Sequence, residues 1–215
     1  MNDLQRDIAG AIDAHHRLEA DLSQWEALEV GEPSLLDGWT RGHVLTHLAR
    51  NADSHAQMLA AAARGEPAVQ YPGGRAQRDA DIEAGAGRPL AELIADVMES
   101  NRALEAAWSA AGERVWSATG DTVAGPVALS DLPFRRWRET TVHHADLGGA
   151  FTWRDWPADY VRLELQRMTM LWNSRQSMGL TGLPAAALAV PPEHRLAWLM
   201  GRASIDGLAP AELMA

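Results

Sequence analysis

Glu139 and His143 lie four residues apart in Arg138-Glu139-Thr140-Thr141-Val142-His143-His144-Ala145-Asp146. Residues at i and i+4 share one face of a helix, a turn apart. A carboxylate oxygen and an imidazole nitrogen at that spacing can hold one metal ion together. Two ligands make a poor site, so a third is expected from elsewhere. Gly42-His43-Val44-Leu45-Thr46-His47-Leu48 also reads as helix and offers His47, with His43 one turn back as a rival. Two imidazoles and a carboxylate leave one coordination position open. Catalytic zinc sites keep three protein ligands in this way, whereas closed structural sites use four. The chain has no cysteine, so the donor set is borderline to hard: zinc is expected, with iron, nickel and manganese as alternatives. An open divalent ion lowers the pKa of a bound water or small-molecule thiol and yields a nucleophile at neutral pH. His144 and Asp146 sit beside the pair and are candidates to orient it. Arg202 alone reads as a surface charge; on the rim of a metal pocket its planar fork would suit a carboxylate substrate. Arg75 and Arg78 are candidates near the pocket mouth. His15, His16, His55 and His194 read as helix-face or solvated residues.

The elements that must position these groups are mostly helical. Leu4, Ile8, Ile12, His15, Leu18, Leu22 and Trp25 recur every three or four residues and predict a long amphipathic helix. Gly31-Glu32-Pro33 breaks it. Thr40 is a natural N-cap for the next helix, which carries Val44, Leu45, Leu48, Ala52, His55 and Leu59 and fades at Arg64-Gly65-Glu66-Pro67. A Gly/Pro-rich loop follows, then a short polar helix ending near Gly85. Leu90, Leu93, Ile94, Val97, Asn101, Leu104 and Trp108 mark a third long helix. Residues 115–129 have no clear period and read as short extended segments or a packed loop. Ser130 is positioned to cap a helix with Pro133 in its first turn, and Gly148-Gly149 stops that helix. Val161, Leu165, Met168, Leu171 and Trp172 give a further helix, and residues 195–202 a last short one. Between them, residues 179–192 have room for one or two short strands at most. The prediction is a mainly α chain: a four-helix bundle over residues 1–175 and a short C-terminal extension over 176–215.

Composition sets outer limits. At 215 residues and 47% hydrophobic, the chain can bury a sizeable core. A net charge of -10 with no basic run argues against non-specific nucleic-acid binding. Without cysteine there is no disulfide and no Cys-based zinc site, and a catalytic thiol must come from outside the polypeptide. The N-terminus has no apolar signal core, and no window is long enough to span a membrane. A cytoplasmic protein, monomeric or homodimeric, is expected. Nine tryptophans against two Phe and two Tyr are expected mostly as core anchors.

Three stretches together resemble one family. Residues 34–52, Ser-Leu-Leu-Asp-Gly-Trp-Thr-Arg-Gly-His-Val-Leu-Thr-His-Leu-Ala-Arg-Asn-Ala, resemble the hallmark segment of the mycothiol-dependent maleylpyruvate isomerases, members of the wider DinB-like metal-binding four-helix bundles. Residues 136–148 are similar to that family's second motif. Trp198-Leu199-Met200-Gly201-Arg202 resembles its C-terminal Gly-Arg motif. The resemblance runs from about residue 5 to about residue 208, with the motifs in order. It implies His47, Glu139 and His143 as zinc ligands, choosing His47 over His43, and Arg202 as the functional arginine. It implies mycothiol as the thiol, and a carboxylate-bearing electrophile isomerised from cis to trans by thiolate addition and elimination. Two other readings are a mycothiol S-transferase acting on another electrophile and a non-catalytic metal-binding bundle. With about forty residues after the last long helix, the C-terminal part is expected to be a reduced version of the α/β domain that follows the bundle in that family.

Overall fold

The computed structural model describes residues 3–26, 30–175 and 182–213. The chain forms two compact units, Met1–Gly148 and Gly149–Ala215. The first contains α1 (Asp3–Leu22), α2 (Arg41–Arg64), α3 (Gly74–Gly85), α4 (Leu90–Ala110), the single turn α5 (Glu113–Trp116) and α6 (Leu132–Asp146). One antiparallel hairpin, β1 (Thr119–Thr122) with β2 (Gly125–Ala128), lies between α5 and α6. The four long helices make a bundle: α2 packs on α4 and α1 on α6, with α2–α6 and α1–α4 contacts closing it. The apolar stripes read from the sequence face inwards, with Leu18, Leu22, Val44, Leu45, Leu48, Leu93 and Val97 in one core.

Local chemistry fixes the helix ends and their approach. Thr40 caps α2 through a capping box: its hydroxyl accepts from the His43 backbone N–H, and the His43 imidazole accepts from the Thr40 N–H. Ser130 does not cap α6. It sits inside a 3-10 turn, Leu129–Asp131, that runs directly into the helix, with Pro133 in the first turn as expected. Gly10 lets α1 lie close on α6, because a Cβ there would meet the Trp137 ring at 2.5 Å. The stretch without period, 115–129, contains the hairpin. Its strands hold Gly120, Gly125 and Pro126, which no strand pattern favours, so pairing rather than propensity defines them. A parallel bridge from Val69 to Asp121 ties the 65–73 loop to the hairpin, with Gln70 N–H donating to Asp121 O at 2.9 Å and Asp121 N–H to Ala68 O at 2.8 Å.

The second unit contains α7 (Ala158–Arg175), α8 (Ala185–Ala189) and α9 (Pro192–Leu199). The helix at 158–175, read from the sequence as part of the bundle unit, groups with the C-terminal unit. Its buried residues Tyr160, Val161, Glu164 and Met168 belong to a helix packed on α9. Of the 179–192 segment expected to hold short strands, residues 179–181 lie outside the described residues. Within the rest, residues 185–189 form α8, a run of helix-forming alanines and one leucine, and no strand occurs among the described residues of this unit. The last helix starts at Pro192 rather than Arg195 and ends before Arg202. Four tryptophans, at 108, 137, 156 and 198, are buried; the other five are partly covered.

Candidate metal centre and its cavity

The site is built on two facing helices of the first unit. His47 projects from α2, and Glu139 and His143 from α6. One ligand atom from each of the three lies within 4.8 Å of the others. His47 Nε2 is 2.8 Å and His143 Nε2 3.5 Å from the same oxygen, Glu139 Oε2. The two imidazoles meet edge to face, with ring centroids 4.8 Å apart. Asp146, almost completely buried, holds His143 from behind at 2.9 Å through Nδ1, which leaves Nε2 for the site. The Trp39 ring lies 5.7 Å from the His47 ring, and Arg78 approaches His47 Nδ1 at 3.3 Å.

The electrostatics follow from burial and these contacts. Burial pushes His47 down to about 4, despite its bond to Glu139, so it is neutral: its Nε2–H donates to Glu139 and its Nδ1 lone pair faces Arg78. Burial also opposes charge on His143, but hydrogen bonds to Asp146 and Glu139 outweigh it and push that group up to about 9. Burial of Glu139 favours its neutral form, yet bonds from His143 and His47 hold it well below the usual carboxylate range. The three groups therefore carry an internal ion pair whose proton sits on His143.

The three donors border a cavity of about 240 Å³. Four arginines line it with them: Arg75 and Arg78 from α3, Arg135 and Arg138 from α6. Among the described residues Glu139 is the one carboxylate in the lining. Arg138 lies over the Phe134 ring at 5.8 Å. Arg135 is half-buried, and burial and Arg138 lower its pKa. Thr122, Val123 and Ala124, at the hairpin tip, close another side.

The expected residues fall into two groups. His47, Glu139 and His143 come together, Asp146 supports them, and Arg75 and Arg78 line the same cavity. His43 does not join them: its Nδ1 serves the α2 cap and its Nε2 faces Glu83 at 3.2 Å. His144 also turns away, to Asp21 of α1 at 2.9 Å. His15 and His55, read as helix-face or solvated, are buried. Arg202 belongs to the second unit, where its guanidinium donates to Met200 O at 2.7 Å. Sequence reasoning missed Arg135 and Arg138; their i, i+4 and i, i+1 spacing to Glu139 was the available signal.

The donor set fits a divalent ion. It offers two imidazole nitrogens and one anionic oxygen on one centre, one imidazole already neutral and the other oriented by a carboxylate. Such a set on paired helices, inside a mainly α fold, defines a DinB-like helical bundle. The chain belongs to the family described as the mycothiol maleylpyruvate isomerase N-terminal domain, whose model matches residues 12–148. It is similar to a crystal structure of the mycothiol-dependent maleylpyruvate isomerase, with a TM-score of 0.83 at 25% identity, covering 94% of this chain and 90% of that chain. A histidine-to-alanine mutant of mycothiol-dependent maleylpyruvate isomerase matches with a TM-score of 0.82, at the same identity and coverage. The similarity extends over nearly the full length of those structures. Comparison with curated proteins finds no match. Among the described residues no helix is long and apolar enough to cross a membrane.

Proposed function

We propose that this chain is a cytoplasmic mycothiol-dependent isomerase of the maleylpyruvate type, with a divalent ion, zinc in the first instance, held by His47, Glu139 and His143. The observation that carries the reading is the convergence of three ligand atoms within 4.8 Å on the wall of an arginine-lined cavity, in a member of this family. When bound, the ion makes a thiolate available at neutral pH, which suits cis–trans isomerisation by reversible thiol addition to an activated double bond.

The chain's own residues do the rest. Neutral His47 brings no positive charge to repel the ion. Asp146 fixes the His143 ring and takes up its Nδ1–H. Glu139 places a negative charge against the incoming cation. The arginines of α3 and α6 hold the carboxylate of a small electrophile and favour negative charge developing on the substrate as an enolate forms. Arg202 is retained as a candidate catalytic residue on the strength of its Gly-Arg motif alone.

Elemental analysis of the full chain tests the metal. About one equivalent in the wild type, lost in His47→Ala and Glu139→Ala with the helical fold intact, is expected. Turnover of maleylpyruvate with mycothiol tests the reaction: an isomerase returns the thiol unchanged. Thiol consumed in step with product would instead favour an S-transferase. Stoichiometric metal missing from the wild type after supplementation would favour a non-catalytic bundle.

A further inference from the structure

One buried imidazole in the cavity of the three donors has no part in the proposed function. His55 belongs to α2, is 2% exposed and lines the same cavity as His47, Glu139 and His143. It follows His47 by eight residues, with Asn51 between them on the same wall. Eight residues of helix rise about 12 Å, so His55 stands two turns from His47, and it does not join the cluster of ligand atoms.

Buried polar groups are nearly always hydrogen-bonded, and an exception calls for a reason. Asn51 follows that rule, since its Oδ1 accepts from Arg136 at 2.9 Å. His55 does not. Its Nδ1 is sealed from solvent and has no hydrogen-bond partner among the described residues. Nε2 is not sealed and has no partner among them either, so it is the ring nitrogen that meets the cavity. Burial, helped by the charge of Arg136, pushes His55 down to about 3, so the ring is neutral and carries one proton. Orphaned buried N–H groups are rarer than under-used acceptors. The sealed Nδ1 therefore keeps the lone pair, and Nε2 carries the hydrogen into the cavity.

A neutral donor has a different use from the arginines around it. The four guanidiniums of the lining suit carboxylates, to which they bring charge and two parallel N–H groups. A single uncharged N–H suits an uncharged oxygen. A cavity of about 240 Å³ admits only a small acid, in which a carboxylate and such an oxygen lie a few bonds apart.

We propose that His55 is a specificity-determining residue of this cavity: its Nε2–H donates to an uncharged oxygen of a small carboxylic acid, so that an oxo acid is preferred to the same acid without the oxo group. That this acid is the substrate of an isomerase rests on the proposed function; the discrimination itself does not.

The test compares 2-oxoglutarate with glutarate, which differ by that oxygen, by titration calorimetry on the full-length chain stripped of metal. Stripping is needed because a 2-oxo carboxylate also chelates a bound ion. The wild type should bind 2-oxoglutarate about tenfold more tightly, the size of one hydrogen bond. His55→Phe should abolish that preference while leaving glutarate affinity unchanged. His55→Gln, whose amide N–H can stand in for Nε2–H, should restore part of it. A wild type that binds neither acid, or does not distinguish them, overturns the proposal. If His55 serves packing alone, both variants move the thermal midpoint and leave the preference intact, which overturns it as well. Preference retained in His55→Phe, with one metal per chain before stripping, would sink this inference alone. Preference lost in that variant, from a chain that holds no stoichiometric metal, would sink only the metal reading.

Discussion

Two buried polar clusters sit one turn apart on α6, and they are built in opposite ways. Around Arg136, which is completely buried, each guanidinium nitrogen has a partner. Its guanidinium donates to His15 Nε2 on α1 at 3.0 Å, to Leu48 O and Asn51 Oδ1 on α2 at 2.8 and 2.9 Å, and to Asn101 Oδ1 on α4 at 2.7 Å. One side chain thus ties together all four bundle helices. Its neighbours are satisfied in turn: His15 Nδ1 meets Glu105 at 2.7 Å and Asn101 Nδ2 donates to Glu19 at 2.9 Å. Burial lowers Arg136 to about 10, so it remains charged at neutral pH. Around Glu139 the groups converge on one point and one side opens to a cavity. A saturated network specifies a fold, whereas convergent groups with an open side invite a ligand.

The largest way to break this contrast is Arg136→Met. It strands acceptors on three helices and should cost roughly 3–5 kcal/mol, read as a lower urea midpoint. A loss below about 1 kcal/mol would mean the hub is not what holds the helices. Asp146→Asn probes the other cluster. It should leave the fold in place while weakening metal affinity roughly 10- to 100-fold in a chelator competition; unchanged affinity would remove Asp146 from the site.

Acid should separate the two clusters from bulk electrostatics. Burial lowers His15 to about 4 and His55 to about 3. The unfolded chain takes up these protons below about pH 6.5, and the folded chain resists them. Their contribution is therefore fully present above about pH 6.5 and is lost as pH falls towards 4 and then 3. Denaturation midpoints at pH 7 and pH 5 should show the decline, and His55→Phe should flatten it. The smallest effect is expected from Thr40→Ala, about 1 kcal/mol for a lost N-cap, with metal content unchanged. Metal lost on that change would show that His43, freed from its cap, disturbs the triad.

Much of this was legible from residue order. Apolar periodicity located α1, α2 and α4, Pro133 and Gly148-Gly149 bounded α6, and the Glu139–His143 spacing named two of the three converging groups. The choice between His43 and His47 needed family resemblance, because both lie on one face. A Thr-x-x-His capping box is visible in hindsight, although glutamate or glutamine usually takes the fourth position. Arg136 was not legible, since its acceptors come from three other helices at separations that periodicity cannot report. The hairpin was legible only as short extended segments or a packed loop, because its glycines and proline give no strand pattern, and the grouping of α7 with the C-terminal residues was not legible because a helical stripe does not say what covers it.

The bridge between Val69 and Asp121 has a consequence for descent. The groups that would do the chemistry are anchored in the bundle, while the hairpin tip at 122–124 shapes the same cavity from outside it. Drift at those three positions leaves the helical core untouched. A lineage carrying this architecture can therefore change the molecules it accepts while its reactive centre stays fixed. Relatives with the same triad should diverge first at that tip.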